Sequence, residues 1–428
     1  MPAPSLMVTI DKLVQGGRGL ARHDSQVLFV RGAIPGETVS VALGAKHKSY
    51  QEAAVQEIAA PSPERTPAPC PVYEICGGCQ LQHIEHEAQL RFKREILAET
   101  LARVGKLQID VPPIIPSPSP YGYRSAVRFV VFRGQRGMAL GFREAGSHQP
   151  VEAAGCLLVP EAMRKTIGEI ADRLGRVSRL PSQVESLEVR RSVALGSTLL
   201  SWRTGPATRS QAAQLFSLCQ DVPDISGQVV TAENRGRWVA GQDWIADRLG
   251  ELQFRITDGA FMQANWPLLS TLSQTVNEWV NPSQGPRVLE LYAGIGVLGL
   301  PLARRGALVT EVESNRWALA DARQTAKVNH IGRCRFRHQK SEECLAATET
   351  GEYDAVLMDP PRTGLSPDAL RGLLALTVPR IFYLSCDPAT LARDLGKLCA
   401  GGYCVNRLRA FDMFPQTAHI ETLVELAR

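Results

Sequence analysis

The chain has 428 residues, 44% of them apolar, and a formal net charge of +5. That length supports two or three domains with real cores, and the modest positive charge permits a nucleic-acid partner without requiring one. No apolar run reaches the roughly 18 residues that suggest a membrane span, the opening Met-Pro-Ala-Pro-Ser-Leu is no signal peptide, and ten cysteines in so long a chain are no disulfide framework. A soluble, cytoplasmic, monomeric protein is expected.

In chain order, residues 8–13, 26–30 and 38–41 read as short strands broken by Gly16, Gly17, Gly19 and the Pro35-Gly36 turn. Such spacing predicts a small β-barrel. Residues 1–60 carry six Lys/Arg against five Asp/Glu, so charge says little about its partner. The Pro-rich stretch 61–67 reads as a linker. Cys70, Cys76 and Cys79 then form C-x5-C-x2-C, and Cys156 is the best candidate for a fourth thiolate, ahead of Cys219. Thiolates suit zinc or an iron–sulfur cluster, but zinc sites usually pair two C-x2-C knuckles and one is present.

A helix is predicted from His86 to Lys106, with Leu90, Leu97, Leu101 and Val104 on one face, Gly105 as terminator, and Arg91, Lys93 and Arg94 on a solvated face. From Ser119 to Arg143 five arginines and no acid interleave with Tyr121, Tyr123, Phe129, Phe132 and Phe142. Arginines for phosphates and aromatics for base stacking suit single-stranded RNA; an amphipathic hairpin with its aromatics inward has the same composition. Residues 144–255 read as mixed strands and helices.

The C-terminal part repeats strand–helix units, which predicts a parallel sheet. Strand 287–292 leads into Gly294-x-Gly296-x-x-Gly299, and strand 307–313 ends at Glu313, 19 residues after Gly294, where a carboxylate would meet ribose hydroxyls. A third strand, 353–358, ends in Asp359-Pro-Pro-Arg362. A fourth, 380–384, delivers Ser385-Cys386-Asp387-Pro388, placing a candidate nucleophile at a strand's carboxyl end. The glycine pattern alone serves NAD or S-adenosylmethionine; Glu290 within the first strand and the Asp-Pro-Pro tip favour the methyl donor.

Together, Glu290-Leu-Tyr-Ala-Gly-Ile-Gly, Asp359-Pro-Pro-Arg, Ser385-Cys386-Asp-Pro-Ala-Thr-Leu-Ala-Arg-Asp and His419-Ile-Glu421 resemble the RNA uracil-5-methyltransferase family. The resemblance implies a Rossmann-like S-adenosylmethionine-dependent domain, with Cys386 adding to C6 of uracil and Glu421 removing the C5 proton. It matches Gln263, Tyr292, Glu313 and Asp359 to the cofactor site. It implies a [4Fe–4S] cluster on Cys70, Cys76, Cys79 and Cys156. The N-terminal strands resemble a TRAM domain, an OB-like RNA-binding module. The chain departs from the family's frequent Asp-Leu-Phe/Tyr-Cys-Gly at Glu290 and Ala293, keeping the charge and losing a thiol that is not the nucleophile.

The implied division is a TRAM unit at 1–65, a central iron–sulfur and RNA-binding unit at 66–85 and 120–255, and the methyltransferase unit at 86–119 and 256–428. The TRAM-plus-cluster arrangement resembles the 23S rRNA branch, with tRNA as the other substrate. A non-catalytic RNA-binding protein on this fold, or an NAD oxidoreductase passing electrons through a cluster, would leave Cys386, Glu421 and Asp359 without a role.

Overall fold

A computed structural model of the chain describes residues 6–428. Most of the opening segment read for a signal peptide, residues 1–5, lies outside the described residues. Strands β1 (Leu6–Thr9), β2 (Lys12–Val14), β3 (Arg18–His23), β4 (Gln26–Arg31), β5 (Thr38–Lys46) and β6 (Gln51–Ala60) make one sheet in the order β1-β5-β6-β4-β3-β2. The sheet curls until β1 lies beside β3 and closes on Val8, Ile10, Leu28, Val30 and Val39, so the predicted N-terminal β unit is present. It is not free-standing: Leu13 and Ile34 pack with Leu81, Ile84 and the next helix.

That helix, α1 (His86–Arg103), departs most clearly from the sequence-based expectation. Its buried side carries Ala88, Phe92, Lys93, Ile96, Leu97 and Leu101, while Val104 is exposed and Lys106, not Gly105, takes the left-handed turn at φ 58°. Lys93 is 1% exposed because Asp412 meets its ammonium at 2.6 Å and the Phe414 carbonyl accepts a second bond at 3.1 Å. A charge on an amphipathic helix reads as solvated; a distant acid reverses that here.

The central sheet comprises β7 (Ala126–Arg133), β8 (Met138–Arg143), β9 (Pro150–Glu152), β10 (Val184–Arg191), β11 (Thr198–Thr204), β12 (Ile225–Ala232) and β13 (Arg237–Gly241), with α2 (Glu161–Gly175) and α3 (Arg209–Cys219) in its core. Tyr123 and Phe129 are buried, and Phe129 stacks on Phe142 at 5.0 Å. Arg128 pairs with Glu188. Of the five aromatics proposed for base stacking, Tyr123 and Phe129 are thus core residues and Phe142 packs against that core, while Tyr121 and Phe132 are half-buried.

The hairpin β14 (Trp244–Leu249) and β15 (Leu252–Thr257) packs Ile245, Phe254 and Ile256 into the C-terminal core. A boundary at 255/256 therefore cuts through a hairpin that belongs to the C-terminal unit.

The C-terminal sheet runs in the order β18-β17-β16-β19-β20-β22-β21, from β16 (Arg287–Leu291), β17 (Leu308–Glu313), β18 (Cys334–His338), β19 (Ala355–Met358), β20 (Arg380–Ser385), β21 (Cys404–Phe411) and β22 (Glu421–Ala427). The first five strands are parallel, and β22 is antiparallel to β20. Helices α4 (Trp266–Val280), α5 (Gly299–Arg304) and α6 (Arg316–Val328) share a core with one face; α7 (Ser341–Ala347), α8 (Pro367–Leu376), α9 (Pro388–Ala400) and α1 share one with the other. Both faces are covered, which is why β19 and the interior of β20 are continuously apolar rather than alternating.

Candidate active site and cysteine cavity

Parallel strands bring their carboxyl ends to one edge, and the residues predicted for the chemistry gather there. Tyr292 comes directly after β16, Glu313 ends β17, Asp359 comes directly after β19 and Cys386 directly after β20. Because β22 runs the other way, its first residue, Glu421, falls at the same edge. The register pairing Ser385 with Thr422 sets Cys386 across from Glu421. The start of α9 fixes Cys386 in place: Asp387 caps the helix, accepting the Thr390 N–H at 2.9 Å, and Pro388 begins it. Gln15, from the N-terminal barrel, donates to the other Asp387 oxygen at 2.9 Å.

The glycine loop is held by acids. Glu313 accepts from the Gly294 N–H at 2.9 Å and from Asn315 N–H at 2.6 Å. Tyr292 enters the loop at φ 58°, a left-handed conformation that costs a tyrosine energy. Glu290 and Glu311, partners across β16 and β17, lie below the loop. A Cβ on Gly296 would stand 2.8 Å from Glu311 Oε1, and one on Gly299 would stand 1.9 Å from Glu290 Oε2, so any side chain there would displace the loop. The sequence reading passed over Glu311; its place two residues before Glu313, on the face turned to the loop, is the signal that marks it.

Electrostatics at the edge are unusual. Burial, then the charges of Glu421 and Asp359, push the Cys386 thiol up to about 11 against the pull of Arg362. Burial, then Asp359, raises Glu421 well above the carboxylate range, again against Arg362. Burial raises Asp359 to about 7, with Gln263 opposing it from 3.5 Å. Among the described residues Glu421 Oε1 is buried with no hydrogen-bond partner, which marks it as a group that needs an explanation. Arg362 also meets His419 Nε2 at 3.2 Å. Both residues stood in the sequence motifs, but only the fold shows them beside the thiol and the acid.

The second site is the cysteine cavity, of about 720 Å³, lined by Cys70, Cys76, Cys79, Cys156, Arg124 and Phe142 among others. Cys219 instead lies in the central core. The thiols sense one another: burial, then neighbours including Cys156 and Cys76, pushes Cys79 up to about 12 despite Gln82, and burial also raises Cys76 and Cys156. Among the described residues no group of three or more His, Cys, Asp or Glu is placed to hold a single metal ion.

The cysteine loop is tied on both sides. Gly77 donates to the Arg143 carbonyl at 3.0 Å, and the Gln80 and Leu81 N–H groups both donate to the Gln416 carbonyl at 3.0 Å. Gln80 Oε1 accepts from the Ala418 N–H at 3.2 Å, three residues before Glu421.

The family model described as tRNA (uracil-5-)-methyltransferase matches residues 86–428. The chain belongs to this RNA uracil-5-methyltransferase family. It is 34% identical to the 23S rRNA (uracil(1939)-C(5))-methyltransferase RlmD of Alkalilimnicola ehrlichii, over 100% of this chain and 98% of that one. It is 32% identical to the RlmD of Shewanella amazonensis, over 97% and 94%. Among solved structures, the tRNA (uracil-54, C5)-methyltransferase of Pyrococcus abyssi in complex with S-adenosyl-L-homocysteine shares the fold across 98% of this chain and 99% of that chain, with a TM-score of 0.77 at 22% identity. That likeness in fold takes in nearly the whole chain.

Proposed function

We propose that this protein transfers a methyl group from S-adenosylmethionine to C5 of a uridine in RNA, with 23S rRNA as its substrate. The observation that carries the chemistry is that Cys386 and Glu421 each adjoin the Ser385–Thr422 pair that ends the β20–β22 ladder, with one buried Glu421 oxygen unpartnered. Full-length likeness to RlmD proteins supports the ribosomal substrate. Such an enzyme needs a splayed-out uridine.

Uracil C5 is a weak nucleophile. Cys386 sulfur adds to C6, and Arg362 supplies the positive charge that favours the thiolate. The new S–C6 bond moves electron density to C5, which takes the methyl group. S-adenosylmethionine supplies that methyl as an electrophile on its sulfonium. Glu421 then removes the C5 proton, and the electron pair released reforms the C5–C6 double bond and expels the cysteine. Covalent catalysis thereby divides one hard substitution into two easier steps. Gln263, Tyr292, Glu313 and Asp359 form the cofactor side of the edge, with Glu313 directed at the ribose hydroxyls and Asp359 closing the site.

Cys70, Cys76, Cys79 and Cys156 would hold a [4Fe–4S] cluster. The donor set is all thiol, which suits iron–sulfur centres, and the four cysteines line one cavity. The cluster would anchor the loop whose Gln80 and Leu81 hold Gln416 and Ala418, and so the approach to Glu421. Residues 1–65 form the TRAM-like RNA-binding unit: a cavity of about 860 Å³ lies between the barrel and the cysteine loop and presents Arg18 and Arg31. Residues 66–85 and 120–243 hold the cluster, and 86–119 with 244–428, the β14–β15 hairpin included, perform the chemistry.

The test is methyl transfer from labelled donor to separate 23S rRNA and tRNA transcripts, with nucleoside analysis of each. Label in 5-methyluridine of the rRNA alone supports the proposal. Label in tRNA alone moves the substrate, and label in neither removes the activity.

A further inference from the structure

We propose, on the reading of Cys386 and Glu421 as the reaction pair, that the turn joining β2 to β3, Gln15-Gly16-Gly17, is a positioning element of the reaction edge, so that the N-terminal barrel sets the rate of the chemistry. Local rules form the turn. Val14 pairs with Arg18 at the end of the hairpin, and the Gly17 N–H closes the turn on the Val14 carbonyl at 3.0 Å. Gly16 and Gly17 stand at φ 89° and 72°, where a side chain would be strained. The strand leading into the turn is anchored on the methyltransferase unit: Leu13 is buried in a core it shares with α1, and Lys12 pairs with Glu99 of that helix.

From this anchor the turn reaches toward both members of the reaction pair. Gln15 Nε2 donates to Asp387 Oδ2 at 2.9 Å, across 372 residues of sequence. Asp387 follows Cys386 directly, and its other oxygen caps α9 through the Thr390 N–H. Its own N–H donates to Ser385 Oγ at 3.3 Å. The Asp387 side chain therefore has two holds, one from its own helix and one from the barrel. Gly17, on the other side, is buried where a Cβ would stand 2.9 Å from Leu81 Cδ2, 3.1 Å from Gln80 Cβ and 3.4 Å from Ala418 Cβ. Gln80 in turn accepts from the Ala418 N–H, three residues before Glu421. One turn of the barrel thus braces the residue after the nucleophile and the segment before the base. Gly16 and Gly17 also line the cavity that presents Arg18 and Arg31, so the turn stands between the barrel's basic side chains and the reaction edge. Bracing of this kind acts on rate, because displacing a reacting group by about 1 Å can cost about 100-fold.

The experiment uses the full chain, as wild type, Gln15→Ala, Gln15→Glu, Gln15→Glu with Asp387→Asn, and Gly17→Val. Each is mixed with labelled methyl donor and a saturating 23S rRNA transcript carrying 5-fluorouridine. Sulfur bonds to C6 and C5 takes the methyl group, but fluorine at C5 cannot be removed as a proton, so a labelled adduct accumulates and its single-turnover rate is read. RNA affinity is measured alongside. Loss of one hydrogen bond predicts an adduct rate about fivefold slower in Gln15→Ala, with RNA affinity unchanged. Gln15→Glu sets two carboxylates together and should be slower still. Adding Asp387→Asn gives the new carboxylate an amide donor while the amide oxygen still caps α9, and should return the rate to within about twofold of wild type. Gly17→Val, strained and crowded, should be slower by about tenfold or more. Gln15→Ala at the wild-type rate overturns the proposal, and so does an exchange of the pair that restores nothing. A fall in RNA affinity with an unchanged rate at saturation gives Gln15 to the RNA and also overturns it. If Gly17→Val does not fold, the Gln15 variants carry the test, since that side chain is exposed. Wild-type protein that forms no adduct removes the covalent chemistry and this role with it, a result distinct from a slowed variant.

Discussion

Two sets of cysteines in this protein sit in opposite surroundings. Cys386 faces carboxyls: Glu421 and Asp359 both disfavour its thiolate, and Arg362 is the cation that opposes them. The cavity cysteines face Arg124, and no acid is among the main causes that raise Cys76, Cys79 or Cys156. Burial raises the thiols in both places, so burial alone does not separate a nucleophile from a ligand. The neighbours do. On the proposed mechanism the Cys386 thiolate both attacks and leaves, and Arg362 is the one neighbour that favours that anion against Glu421 and Asp359.

The largest effect expected from breaking this contrast is at the nucleophile. Cys386→Ala should transfer no detectable methyl group to RNA while keeping its fold and RNA affinity. Activity near wild type would remove Cys386 from the mechanism. Next, Cys76→Ser or Cys79→Ser should abolish the visible absorbance, roughly near 400 nm, expected of an anaerobically prepared protein with a thiolate-ligated iron–sulfur centre. The absorbance should survive in Cys386→Ala, which separates the two sets directly.

The framework beneath the edge should respond more than its surface. Lys93→Met leaves Asp412 buried with one fewer cation. Burial alone would raise that acid, and Lys93 with His86 holds it below its usual range. Breaking a buried pair of this kind costs about 3–5 kcal/mol, readable as a lower denaturant midpoint. An unchanged midpoint would show that His86, at 2.9 Å, suffices.

Acidity gives two smaller effects of opposite sign. The proposed mechanism needs Cys386 and Glu421 deprotonated, and both are raised, so methyl transfer should increase from about pH 6 to about pH 9; a rate flat across that range would contradict the assigned surroundings. Stability should move the other way. Burial raises Glu311 to about 8 and Asp359 to about 7, so the folded protein binds more protons than the unfolded chain above the ordinary carboxylate values. Stabilisation from these protons is complete below the unfolded values and fades as pH rises through about 7 to 8. Thermal melts should fall over that window, and Glu311→Gln should lessen the fall.

Much of the site was legible because its residues are tied to strand ends. A parallel sheet gathers such ends whatever the loops do, so Tyr292, Glu313, Asp359 and Cys386 could be expected at one edge before the fold was seen. Gln263 and Glu421 needed the family resemblance: Gln263 lies ahead of the sheet in a loop, and only the reversed direction of β22 brings Glu421 to the edge. What was not legible depends on partners distant in sequence. Lys93 reads as a solvent-facing helix residue until Asp412 is found beneath it. Tyr123 and Phe129 read equally as base-stacking or core until the central sheet buries them. Arg124 reads as one of five arginines in a basic stretch until its side chain is seen lining the cysteine cavity.

The measurement that bears most directly on the central claim is the fate of RNA on Glu421→Gln. This variant keeps the shape of the base and removes its ability to take a proton. With labelled methyl donor and substrate RNA it should accumulate a protein–RNA adduct that survives denaturing gels, carries the label, and is absent when Cys386 is also replaced by Ala. A folded, RNA-binding Glu421→Gln protein that forms no labelled adduct, or releases 5-methyluridine at the wild-type rate, would contradict the division of labour between Cys386 and Glu421.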